Sequence, residues 1–174
     1  MARFRKANGR KPECEPLHYK ACGLDDVYLV NGFTRQVIDG EEYIHIENLK
    51  SLWKAIGLHL VSKKKVLAPR ELRFLRDQMD LTQAELGALI RVSDQSVARW
   101  EKGKCDAGSA DVAIRFLYLD SKAAQPEGQI ILQHARKMIE ELVESDEPET
   151  ETVTFRHSGA KWNETGAPRE LAMA

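Results

Sequence analysis

Apolar side chains between residues 24 and 46 gather in three short runs, Val27–Val30, Phe33–Ile38 and Tyr43–Ile46. Asn31-Gly32 and Asp39-Gly40 separate them, and these dipeptides favour the type I′ turns of two-residue hairpins. The pattern predicts a three-stranded antiparallel meander. From Glu47 to about Val61 the period lengthens, with Leu49, Leu52, Trp53, Ile56 and Leu60 at helical spacing. That helix is expected to cover one face of the small sheet. Pro69 suits the first turn of a second helix bearing Leu72, Phe74, Leu75 and Met79. A helix over about 109–121 carries Val112, Ile114, Phe116 and Leu117. Beyond Pro126, Ile131, Ala135, Met138 and Leu142 stripe one face of a further helix. This stripe either docks on the 109–121 helix or meets its symmetry mate across a two-fold axis, the arrangement favoured from sequence. A short late hairpin, Val153–Arg156 with Lys161–Asn163 around Ser158-Gly159, is weighed against a flexible acidic tail, and the tail is preferred.

The most informative stretch is Leu81 to Lys104, LTQAELGALIRVSDQSVARWEKGK. Thr82 is placed to cap a helix, and Glu85 three residues later completes a capping box. Ala84, Leu86, Leu89 and Ile90 supply its apolar face. Gly87 sits mid-helix, where it costs ~1 kcal/mol against alanine unless another backbone must pass closely. Arg91-Val92 makes a turn, and Ser93 can cap a second helix from Asp94 to about Lys102. In it only Val97 and Trp100 are strongly apolar, so Asp94, Gln95, Ala98 and Arg99 are left exposed. Gly103 is placed for a left-handed C-terminal cap. A short helix with a two-residue anchor and exposed Gln and Arg suits a DNA major groove. There Arg bridges guanine O6/N7 and Gln bridges adenine N6/N7.

On these residues the segment from about Ala68 to Lys122 resembles the helix-turn-helix of lambda-repressor-like, Cro-like (XRE) regulators. The matching motifs are TQAEL, the small Gly87, the apolar Val97 and Trp100, and the closing WEKG. The resemblance implies a five-helix DNA-binding domain, usually a homodimer on an inverted-repeat operator. It implies a phosphate contact at Gln83 and base readout by Asp94, Gln95 and Arg99. It also implies a buried ion pair between Arg76 and Glu101. At the turn, where the family usually has glycine, this chain has Arg91, and a left-handed arginine costs of order 1 kcal/mol. An α+β module ahead of such a domain is similar to the architecture of MqsA-like antitoxins. Those carry two CxxC pairs for zinc. No CxxC occurs here, so that metal site does not carry over.

Charge changes the picture through its distribution. The net charge of −1 over 174 residues gives no global nucleic-acid signal. Residues 1–11, however, hold Arg3, Arg5, Lys6, Arg10 and Lys11 with no acid, and Lys63, Lys64 and Lys65 precede the helix-turn-helix. Residues 140–151 hold seven acids and no base. A basic front and an acidic back permit a DNA-facing patch. Ser93, Lys102, Lys104 and the three lysines 63–65 join Gln83 as expected phosphate contacts.

Cys14, His18 and Cys22 fall at C-x3-H-x3-C, but structural zinc generally takes four ligands from tighter knuckles, so no metal and no cofactor is assigned. No nucleophile–base pattern or phosphate-cradling glycine loop appears, so an enzyme is not expected. No apolar run reaches the ~18 residues of a membrane span, and three scattered cysteines fit a reducing bacterial cytoplasm, near the nucleoid. The expectation is an α+β chain: a small N-terminal antiparallel β-meander plus helix, then an all-α lambda-repressor-like helix-turn-helix domain. Residues 1–16 are a basic arm, 17–65 the α+β module, 66–144 the DNA-binding domain with its C-terminal helix, and 145–174 a largely flexible acidic tail. The expected function is sequence-specific double-stranded DNA binding as a repressor, acting as a homodimer. The alternative is an antitoxin that neutralises a toxin protein and autoregulates its operon.

Overall fold

A computed structural model of the protein describes residues 15–123 and 152–165. The basic arm of residues 1–11, Cys14 and the stripe from Ile131 to Leu142 lie outside the described residues. The fold is α+β, with six strands and five α-helices among the described residues. They form two units, one of residues 15–20, 25–52 and 152–165, the other of 21–24 and 53–123.

The first unit holds two sheets. Strands β1 (Leu17–His18), β2 (Val27–Leu29), β5 (Val153–Ser158) and β6 (Lys161–Thr165) form one, in the order β1-β2-β5-β6. β2 pairs antiparallel with β1 and parallel with β5, where Val27, Tyr28 and Leu29 face Val153, Thr154 and Phe155. Strands β3 (Phe33–Ile38) and β4 (Glu41–Ile46) form a separate hairpin. Its turn is Asp39-Gly40, both with positive φ, as a type I′ turn requires.

The expected meander is therefore corrected, because β2 does not pair with β3. Asn31-Gly32 has another task. The Asn31 side chain donates to the His157 carbonyl at 3.0 Å and accepts from the His157 N–H at 2.7 Å. Gly32, at φ +73°, lies beneath the same strands, and a Cβ there would sit 2.5 Å from His157 Cβ and 2.7 Å from the Trp162 ring. The pair clamps the C-terminal hairpin in place of turning the chain back on itself.

The largely flexible tail is corrected too, since residues 153–165 form a hairpin. Val153, Phe155 and Trp162 are buried with Leu17, Val27 and Leu29 in the core of this unit. The Trp162 indole N–H donates to the Glu47 carbonyl at 2.7 Å, and Asn48 donates to the Ala160 carbonyl at 2.6 Å.

In the second unit, helix α1 (Leu49–Lys63) contributes its residues from Trp53 onward, so the unit boundary falls inside this helix and not at residue 65. Helices α2 (Pro69–Gln78), α3 (Gln83–Ile90), α4 (Asp94–Glu101) and α5 (Ala110–Ala123) follow. Ile56, Leu60, Leu72, Leu75, Leu86, Ile114, Tyr118 and Leu119 make the core. Val112 and Phe116, expected inside, are exposed. The buried face of α5 is instead Ile114, Arg115, Tyr118 and Leu119.

Arg115 is almost fully buried, ion-paired with Asp111 one turn earlier. Its guanidinium donates to the carbonyls of Leu60 at 3.0 Å and Val61 at 3.1 Å, groups that the last turn of α1 leaves without helical partners. Asp111 also accepts from the Leu67 N–H at 2.8 Å.

Gly57 lets α1 approach α5. A Cβ at that position would lie 2.1 Å from the Tyr118 hydroxyl oxygen. That hydroxyl is buried with no hydrogen-bond partner among the described residues, and burial pushes its pKa up. Gly57→Ala is expected to destabilise the unit by about 1–3 kcal/mol through overpacking. Tyr118→Phe is expected to be neutral or stabilising, since it removes an unsatisfied buried group. Urea melts of the single and double variants check the coupling: the double must recover part of the Gly57→Ala loss.

Candidate nucleic-acid interface

Two short helices and their turn build the surface. Thr82 caps α3: its Oγ1 accepts from the Glu85 N–H at 3.2 Å, while the Glu85 carboxylate accepts from the Thr82 N–H at 2.7 Å. The Thr82 backbone N–H, and then its hydroxyl, hold the Glu85 carboxyl below the usual range. A depressed carboxylate contributes stability that is present above its unfolded pKa and lost as pH falls through the folded one. Glu85→Gln is therefore expected to lower stability at neutral pH and to flatten the acid side of the stability–pH curve below about pH 4.3, so that thermal melts of variant and parent converge in acid.

Arg91 takes the left-handed conformation, φ 59° and ψ 43°, at the end of α3. Val92 N–H then bonds the Gly87 carbonyl at 2.8 Å. The reason for a glycine at 87 is explicit: a Cβ would lie 2.7 Å from the Val92 carbonyl oxygen. What passes closely is the turn itself. Ser93 caps α4 by accepting from the Ser96 N–H at 3.1 Å.

Val97 and Trp100 are buried, so α4 is seated by one edge. Asp94, Gln95 and Arg99 are exposed, and so are Ser93, Lys102 and Lys104. Asp94 accepts from the Gln95 backbone N–H at 2.8 Å, consistent with an acid at a helix N-terminus. Gly103, at φ +66°, ends the helix, and Lys104 N–H bonds back to the Arg99 carbonyl at 2.9 Å.

Glu101 anchors the other end of α4. Its carboxylate accepts from Arg76 Nε at 2.6 Å, Arg76 Nη2 at 3.0 Å and Gln83 Nε2 at 2.7 Å. Hydrogen bonding to Glu101 raises the Arg76 pKa against the opposing effect of burial. Arg76 also donates to the Leu81 carbonyl at 2.7 Å and pairs with Asp77. One carboxylate thus joins α2, the start of α3 and the end of α4.

Gln83 therefore has its side-chain amide committed inside the domain. Of the three lysines before α2, Lys63 and Lys65 are exposed, but Lys64 is 12% exposed and lies 3.4 Å from Glu71. The apolar face assigned to α3 also changes: Leu86 is buried, while Ala84 and Leu89 face outward. His18, one member of the C-x3-H-x3-C spacing, bonds the Asp25 carbonyl at 2.6 Å and stacks on Tyr28. No cluster of metal-ligating side chains occurs among the described residues. The structural role of Arg115 escaped sequence reading, although an Asp-x3-Arg pair at i, i+4 was the available signal.

A family model described as helix-turn-helix matches residues 72–105, from α2 through the end of the recognition segment. The matched segment is a lambda-repressor-like helix-turn-helix, and this segment supports a DNA-binding transcriptional regulator. The class binds DNA and is not a family of enzymes. No curated protein and no solved structure matches the chain. Among the described residues no helix is long and apolar enough to cross a membrane.

Proposed function

We propose that the protein is a sequence-specific repressor that places two copies of α4 in successive major grooves of double-stranded DNA. The observation that carries this is the exposure of Asp94, Gln95 and Arg99 on a helix fixed from behind by Val97, Trp100 and Glu101. Arg99 reads guanine, Gln95 reads adenine, and Asp94 accepts from a cytosine amine. Ser93, Lys102, Lys104, Lys63 and Lys65 contact phosphates and set the register. Gln83 contributes through its backbone N–H in the first turn of α3, where such groups have no helical partner. Two copies suit an inverted repeat with half-sites about 34 Å apart. The working place is the bacterial cytoplasm, at the nucleoid.

Selection of bound sequences from a random DNA pool tests the reading. The expected result is one enriched site with two-fold symmetry and one-turn half-site spacing. A pool with no enriched sequence would overturn it. Deletion of residues 1–11 is expected to keep the same site and to lower affinity. The slope of log affinity against log salt should fall by about 0.9 for each phosphate that the shortened protein no longer neutralises.

A second reading is favoured by the β3–β4 ribbon. Val37 is 73% exposed and Tyr43 50%, on opposite faces, with Ile38 and Ile44 also outward. Neither strand carries the Lys, Pro or bulge that usually blunts an open edge. A ribbon of this kind accepts a strand from a protein partner. In that reading the chain is an antitoxin holding a toxin on its N-terminal module, with DNA binding as autoregulation. A small neighbouring gene whose product co-purifies with the chain, and is lost from Val37→Lys with Ile44→Lys, supports it.

A further inference from the structure

Connecting segments at a protein surface are usually more mobile than the elements they join. The connector between α1 and α2, residues 64–68, is instead pinned along its length. Arg115 holds the Leu60 and Val61 carbonyls that end α1 and reaches the Lys65 carbonyl at 3.5 Å. Asp111 accepts from the Leu67 N–H. Glu71 accepts from the Ala68 N–H at 2.7 Å and lies 3.4 Å from Lys64 Nζ. Arg115 and Glu71 are themselves buried, at 2% and 4% exposure. With Lys64 drawn inward to Glu71, Lys63 and Lys65 are the exposed lysines of this stretch. The other exposed residues from 63 to 70 are Val66, Ala68 and Arg70, so the stretch presents no acid to solvent.

The connector leads directly to the recognition helix. α2 begins at Pro69, and a Cβ at Gly103 would lie 3.3 Å from Pro69 Cγ. The cap that ends α4, with exposed Lys102 and Lys104 flanking Gly103, therefore lies against the first residue of α2. Lys65 precedes Pro69 by four residues, which is at most about 14 Å of chain. One DNA strand carries a phosphate every 3.4 Å or so along the helix axis, so lysines within this reach meet neighbouring phosphates.

We propose that Lys63 and Lys65 join Lys102 and Lys104 in one phosphate-binding ridge at the C-terminal end of α4, and that buried Arg115 is the residue that positions the first half of it. The proposal rests on the reading of α4 as the DNA-binding helix. Lysine is a compact charge on a flexible stem, so its side chain must be ordered when it binds. A connector already pinned spares the backbone its share of that ordering cost. Arg115 is too deeply buried to meet DNA and acts through the carbonyls it holds.

The test uses the full chain and a fluorescent DNA duplex of random sequence, with anisotropy followed over a series of potassium chloride concentrations. Lys63→Ala with Lys65→Ala should lower the slope of log affinity against log salt by about 1.8, two phosphates at about 0.9 each. Arg115→Met, in protein shown to be folded by circular dichroism, should lower the slope by about 0.9 or more. Adding the two lysine substitutions to Arg115→Met should then remove correspondingly less than they remove from the parent. Arg115→Lys keeps the charge without the fork of donors, and it carries the same test where Arg115→Met does not fold. A folded Arg115 variant with a lower melting midpoint and the parental slope would make the residue merely structural and overturn the proposal. A parental slope from the lysine pair would overturn the ridge. Either failure leaves an enriched site in the selection experiment untouched, whereas failure of the reading itself shows as a pool with none.

Discussion

Glu101→Ala is expected to destabilise the helical unit by about 3–5 kcal/mol, the usual cost of stripping one partner from a buried ion pair. The loss has a definite origin. Arg76 keeps its charge in a pocket where its side chain is 10% exposed, with Asp77 and the Leu81 carbonyl as its remaining partners among the described residues. Gln83 loses its acceptor in the same step. Because Glu101 ends α4, the recognition helix is freed at its C-terminal end while Ser93 still caps the other. Operator affinity should fall even at temperatures where the protein stays folded. Replacing both partners, Arg76→Met with Glu101→Leu, should recover most of the stability, since apolar pairs of similar volume often substitute without loss. Chemical melts and fluorescence anisotropy on a selected site measure the two effects separately. A Glu101→Ala protein with unchanged melting midpoint would show that the pair contributes nothing.

Arg99→Ala is expected to weaken the selected site by about 1–3 kcal/mol, the discrimination carried by one bidentate guanine contact. At about 1.4 kcal/mol per tenfold change, that is roughly 5- to 150-fold in Kd. Its side chain is exposed and makes no side-chain hydrogen bond among the described residues, so stability should stay within about 0.5 kcal/mol of the parent. Binding to random DNA should change far less than binding to the site. Equal losses on both would make Arg99 a phosphate contact, and the base-reading assignment would pass to Gln95 alone.

The DNA-binding half of the chain was legible because its determinants are local. Thr82 and Glu85, Gly87 and Val92, Ser93 and Ser96 all lie within five residues of one another, so composition and spacing reveal the caps and the turn. The sheet was not legible, because its determinants are remote. Asn31 and His157 are 126 residues apart, and Asn-Gly before a strand carries a strong local hairpin signal that tertiary contact overrides. The phase of α5 misled for a different reason. Phe116 looks like core by hydrophobicity, and Arg115 like surface, yet the free carbonyls ending α1 required a buried donor. Lys64 likewise belongs to Glu71 for want of any sequence cue to its burial.

The parallel pairing of β2 with β5 also orders events in time. Synthesis proceeds from the N-terminus, and domains generally fold as their residues emerge. Here β2 leaves the ribosome well before its partner β5. All five α-helices among the described residues are made in the interval. The helical unit is thus made first, and the sheet closes only when β5 and β6 arrive. Until β5 emerges, a folded helical unit would therefore coexist with an unfinished sheet, with β2 still waiting for the strand that completes its pairing.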